Sequence, residues 1–228
     1  MLNKMMNKTM KYLANKILKT YGHYPVKRTA LILVDVQNEF LSDAKSGWQA
    51  ISKTADSINF KENLSSLISF SRDQGFSIVY APYTDKVNPV FKTPAHEIMK
   101  EHTQQGGKDV QLTSEDSQLI SILPTPKDAI VKDRSGLSVF SGSSLHKQLQ
   151  DDGIEHLVFA GSIINIGLDS SVRDAVEYGY HATLITDCSA AMSELEYQMA
   201  TKVTFPRYCQ TLISNQKFQS KVVNNSDS

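Results

Sequence analysis

The chain has 228 residues, 24 Lys and Arg against 24 Asp and Glu, and a hydrophobic content of 40%. That length suits one domain with a sizeable core, and no apolar run reaches the roughly 18–20 residues that span a bilayer. Lys4, Lys8, Lys11, Lys16, Lys19, Lys27 and Arg28 crowd into residues 1–28 with no acidic residue, which leaves the other 200 residues at a net charge of −7, a poor surface for nucleic acid.

Met6, Met10, Leu13 and Ile17 recur at helical spacing and predict an amphipathic helix over 4–20. Residues 1–28 read as a basic N-terminal extension that docks on the body or on a neighbouring subunit. The continuous apolar run over 29–36, closed by Asp35, suits a strand buried on both faces. A helix over 54–74 ends at Gly75, and a strand follows at 76–81. Residues 83–127 hold four prolines (Pro89, Pro94, Pro124 and Pro126) and the run Gln104-Gln105-Gly106-Gly107. Short helices are predicted there at 94–103 and 114–121, and so long an irregular stretch suits a lid or a subunit contact.

The rhythm then tightens. A strand at 128–132 leads to a helix at 143–152, a strand at 156–161 and a helix at 167–178. A strand at 181–187, a helix at 193–203 and a short strand at 210–214 complete the domain, set at 29–214. Residues 215–228 read as a C-terminal tail, disordered from Asn224. Strands alternating with helices imply right-handed βαβ units, so the class is α/β with a mostly parallel sheet covered on both faces.

Several chemistries lack their motifs. There is no GxGxxG, no GxxxxGK[ST] and no GxSxG, and the six histidines show no HExxH spacing. No metal or other cofactor is expected. Cys188 and Cys209 form no CxxC, and the N-terminus lacks a secretory apolar stretch, so a reducing, cytoplasmic setting is expected.

Three segments carry chemistry. The first is Leu31-Ile32-Leu33-Val34-Asp35-Val36-Gln37-Asn38-Glu39-Phe40. The second is Ala129-Ile130-Val131-Lys132. The third runs from Val158 through Gly161-Ser162-Ile163-Ile164-Asn165-Ile166-Gly167 to Ala175, a strand, tight turn and helix start. Taken singly, a strand-end Asp is often a cap, a strand-end Lys is usually solvated, and a Phe is more often core than substrate contact. Together the three segments resemble the isochorismatase-like hydrolase superfamily.

The resemblance implies a three-layer αβα sandwich with a six-stranded sheet of order 3-2-1-4-5-6. Its ligand site lies beyond the carboxyl ends of strands one and four, where strand order reverses. Most members use an Asp, a Lys and a Cys, here Asp35, Lys132 and, in place of the Cys, Gly167. Gln37, Phe40, Arg134, Phe140, Ile163 and Asn165 would border the substrate. Partners are a small molecule and further copies of the chain, as dimer or tetramer, with no membrane or nucleic acid.

Glycine cannot supply the thiolate that attacks an amide or ester. One branch of the superfamily, the isochorismatases, has glycine here and hydrolyses a vinyl ether with release of pyruvate. That reaction needs a proton donor, the role expected of Asp35, and no nucleophilic side chain. Lys132 would bind carboxylates, the Ile163 and Gly167 amides would meet negative charge, and the missing side chain would make room for the ether. Ile163 and Asn165 depart from the isochorismatase pattern, where Tyr and His are usual. The alternatives are a degenerate cysteine-hydrolase relative that binds a small molecule or protein, and a glycine engineered to trap a cysteine hydrolase.

Overall fold

The computed structural model describes residues 24–84, 92–103 and 122–226. The helices predicted at 4–20 and 114–121 lie outside them. β1 (Thr29–Val34) is buried at all six positions, as its unbroken apolar sequence requires. Its side chains alternate between two core layers. Leu31 and Leu33 pack with Ile51, Leu64 and Phe218, while Ala30, Ile32 and Val34 pack with Phe159, Val172 and Leu145.

β2 (Ser77–Ala81), β3 (Ala129–Ile130), β4 (His156–Gly161), β5 (His181–Ser189) and β6 (Thr211–Ile213) complete the sheet. The order is β3-β2-β1-β4-β5-β6 and every pairing is parallel. Helices α1 (Ser46–Ser57), α2 (Phe60–Gln74), α3 (Pro94–Thr103) and α7 (Asn215–Ser226) send buried side chains into the first layer. Helices α4 (Leu145–Asp151) and α5 (Asp169–Glu177) do so into the second. A short α6 (Glu194–Met199) follows β5.

Several elements differ from the sequence reading, each for a local reason. The single helix expected over 54–74 is two, broken at Asn59, which adopts a left-handed φ of +49°. β3 keeps two residues of the five expected. Val131 still donates to the Tyr80 carbonyl at 2.8 Å, and the chain then leaves the sheet. The helix expected from 167 begins with a wide π turn, Ile164–Leu168, and another π turn, Ala200–Thr204, follows α6. The segment expected to trail as a tail forms α7. Phe218 is fully buried there and meets Tyr24 edge-on with ring centroids 4.8 Å apart.

Strand order reverses between β1 and β4, and there the backbones close together. Gly161 has φ +132°, and a Cβ at this position would run into the Val34 carbonyl. That carbonyl accepts from Ser162 N at 3.0 Å. Among the described residues no helix is long and apolar enough to cross a membrane.

Phe159 is fully buried at the middle of β4. Phe159→Ala is expected to cost about 3–5 kcal/mol of stability, measured as a lowered urea midpoint with an unchanged slope.

Candidate active site

Asp35 is the first residue past β1. Its backbone is held by the Ala81 carbonyl, which accepts Asp35 N at 3.2 Å, and it takes the left-handed φ of +56°. A non-glycine residue in that region carries some strain, least for Asp and Asn. The side chain is wholly buried. Burial pushes its pKa up, the Arg134 charge and hydrogen bond pull it down, and the nearby Tyr83 N–H pulls it down further, leaving it at about 6.

The cation beside Asp35 is Arg134. Its Nη1 donates to Asp35 Oδ1 at 2.6 Å and to the Ala81 carbonyl at 2.7 Å. Its Nε donates to the Gly136 carbonyl at 2.9 Å, and Nη2 donates to the Leu137 carbonyl. Both side chains of the ion pair are 0% exposed. Lys132, expected in this place, is exposed and outside the cluster. Because β3 ends at Ile130, Arg134 lies in the loop that follows, and its side chain is held inward by the Gly136 and Leu137 carbonyls of the same loop.

Among the described residues, Asp35 Oδ2 has no hydrogen-bond partner. It points at Gly167. A Cβ built on Gly167 would lie 2.5 Å from Oδ2, 3.2 Å from Val34 Cγ1 and 3.4 Å from Arg134 Nη2. Gly167 does not have a left-handed φ, so its backbone does not call for glycine. The crowding does. The space expected to admit a bulky ether is filled instead by the Asp35 carboxyl.

The other predicted residues divide into two groups. Gln37 is buried beside Asp35, accepting from Tyr83 N at 2.9 Å and donating to Glu39 Oε2 at 3.2 Å. Phe40 lies in the first core layer. Ile163 is also in that layer and follows a cis peptide at Ser162. Phe140 lies in the second layer, its ring against Tyr178 and Tyr180. Asn165 is exposed and donates to Glu196 Oε1 at 3.2 Å, away from Asp35. The Ala81 carbonyl, Tyr83 and Glu39 belong to the site and carry no sequence signal of their own. Only the proximity of Tyr83 to the end of β2 hints at its place.

The profile of the isochorismatase domain matches residues 29–216. An uncharacterized isochorismatase family protein of Bacillus subtilis, YwoC, is 24% identical over 79% of this chain and 87% of its own. Ureidoacrylate amidohydrolase RutB of Variovorax paradoxus is 28% identical over 76% of this chain and 73% of its own. Among solved structures, a cysteine hydrolase from Pseudomonas syringae superposes with a TM-score of 0.71 at 17% identity, covering 89% of this chain and 95% of that one. N-carbamoylsarcosine amidase from Thermoplasma acidophilum gives 0.60 at 23% identity, covering 82% and 96%. At these identities the superpositions establish the fold.

Neither thiol of this chain is placed to act as a nucleophile. Cys188 and Cys209 are buried. Burial raises Cys188 well above the usual thiol range and pushes Cys209 up to about 12, so both are neutral thiols at pH 7. Iodoacetamide at pH 7 is expected to leave both unlabelled in the native protein and to label both in urea. Rapid labelling of one site in the native protein would contradict this.

Proposed function

The chain belongs to the isochorismatase domain family, and from that membership we propose a cofactor-free hydrolase that works by proton donation from Asp35. The observation that supports it is a single atom, Asp35 Oδ2. It is buried, has no hydrogen-bond partner among the described residues and faces Gly167. Arg134 occupies Oδ1, which leaves Oδ2 to carry the proton. A carboxyl pushed up to about 6 is largely protonated below that pH and keeps a minority protonated fraction at pH 7, from which it can release a proton to a substrate.

Amide hydrolysis by a thiol needs a nucleophile, and this chain has none at Gly167. The chemistry compatible with a lone acid is hydrolysis of a small carboxylated vinyl ether of the isochorismate type. The Asp35 O–H protonates the terminal methylene of the enol ether. Water adds to the resulting oxocarbenium carbon and gives up a proton. The hemiketal then collapses, its carbon–oxygen bond to the ring breaks, and pyruvate and an alcohol leave. One water is consumed, and Asp35 recovers its proton. The substrate carboxylate needs a cation, a role we assign to Lys132, which is exposed in the loop beyond β3.

A second reading is favoured by a different observation. Asp35 and Arg134 are both 0% exposed, a closed pair that suits a chain retaining the fold to bind a ligand or protein without turnover. A pyruvate-release assay with isochorismate separates the two. The hydrolase reading expects release that falls as pH rises through about 6 and drops by about 10²–10⁴ in both Asp35→Ala and Asp35→Asn. Full activity in both variants would exclude Asp35 as the acid. No pyruvate from the wild type at enzyme levels approaching the substrate would favour the binder.

A further inference from the structure

We propose that Arg134 positions Asp35 and thereby dictates glycine at 167: the anchored guanidinium turns the Asp35 carboxyl so that Oδ2 fills the volume where a side chain at 167 would begin. For its catalytic consequence this rests on the acid role of Asp35. The steric coupling does not, and its test needs no turnover.

The guanidinium cannot retreat. Three of its four hydrogen bonds go to main-chain carbonyls, those of Ala81, Gly136 and Leu137, on two separate segments. Its planar fork meets all of them and Asp35 Oδ1 at once. Asp35 cannot retreat either. Its N–H is bound to the Ala81 carbonyl, its carbonyl accepts Gln37 N at 3.1 Å and Ser162 Oγ at 3.4 Å, and its side chain has one methylene. With Oδ1 clamped, Oδ2 is held where a Cβ at position 167 would meet it, 2.5 Å away.

Alanine in a helical turn with ordinary φ normally stabilises relative to glycine. Here the 2.5 Å approach to Oδ2, with Val34 Cγ1 and Arg134 Nη2 closing the other sides, reverses the sign. A lysine at 134 has three donors on one nitrogen in place of the fork. It cannot reach Asp35 and both loop carbonyls together, so the carboxyl is freed to swing away.

Thermal midpoints of the full chain test this with Gly167→Ala, Arg134→Lys and the two combined. Gly167→Ala alone is expected to lose on the order of 5 °C. In the Arg134→Lys background the same alanine is expected to cost roughly 1 °C or less, a failure of additivity that reports direct coupling. Equal losses in both backgrounds would overturn the proposal. Should Arg134→Lys not fold, Asp35→Ala removes Oδ2 itself and serves as the background, with the same two outcomes.

A pH series supplies the positioning readout. With its pKa raised to about 6, Asp35 binds a proton more tightly folded than unfolded, so stability is lost as pH rises from about 4 to about 6. Arg134→Lys is expected to move that transition by one pH unit or more. A uniform loss of stability at every pH, with the transition unmoved, would make Arg134 a purely structural residue and overturn the positioning role.

Discussion

The ion pair between Arg134 and Asp35 is the constraint on which the rest of the site depends. Two charges removed from water repay their desolvation only if the geometry is good and the remaining donors are satisfied. Arg134 meets that condition with three carbonyls besides the carboxylate. Those bonds tie the end of β1, the end of β2 and the loop after β3 into one unit. Oδ2 of Asp35, which has no hydrogen-bond partner among the described residues, and the side-chain-free Gly167 both lie beside that guanidinium.

The same unit accounts for what this chain can do within a family whose relatives include a ureidoacrylate amidohydrolase and whose structural neighbours include a cysteine hydrolase. A thiol has no room to grow from position 167 while Oδ2 lies against its Cα, and both cysteines are sequestered in the core. What the site retains is a carboxyl whose proton affinity burial has raised. Burial and the arginine act in opposite directions on that proton. Their balance, more than either alone, decides whether Asp35 is an acid or a structural anion near neutral pH.

Much of the fold was legible in the sequence because it rests on patterns with a fixed period. The apolar run of β1, the alternation of strands and helices from β4 onward and the glycines ending α2 and α5 all announce themselves. Asp35, Gln37 and Gly167 were legible as well, since each is tied to the end of a strand or to a recognisable turn. The partner of Asp35 was not. A strand reading of 128–132 puts Lys132 at the sheet's carboxyl edge, but the strand stops at Ile130, and no periodicity reports where a loop side chain such as Arg134 points. Likewise the family resemblance implies that Asn165 borders the pocket, yet after the π turn begins it is exposed and bonds Glu196. The helix after Ile213 was missed because its polar sequence hides two anchors, Phe218 and Val222, that only tertiary packing reveals.

Burial holds the Asp35 proton up to about pH 6, well above the usual carboxylate range, despite the arginine partner. Carbon-13 NMR of the aspartate carboxyls, with Asp35 assigned by its loss in Asp35→Asn, tests this directly. The account predicts a buried carboxyl that titrates with a midpoint at about 6. A carboxyl that stays ionised down to pH 4 would mean that Arg134 wins over burial, and Asp35 would then be a structural anion with no proton to give.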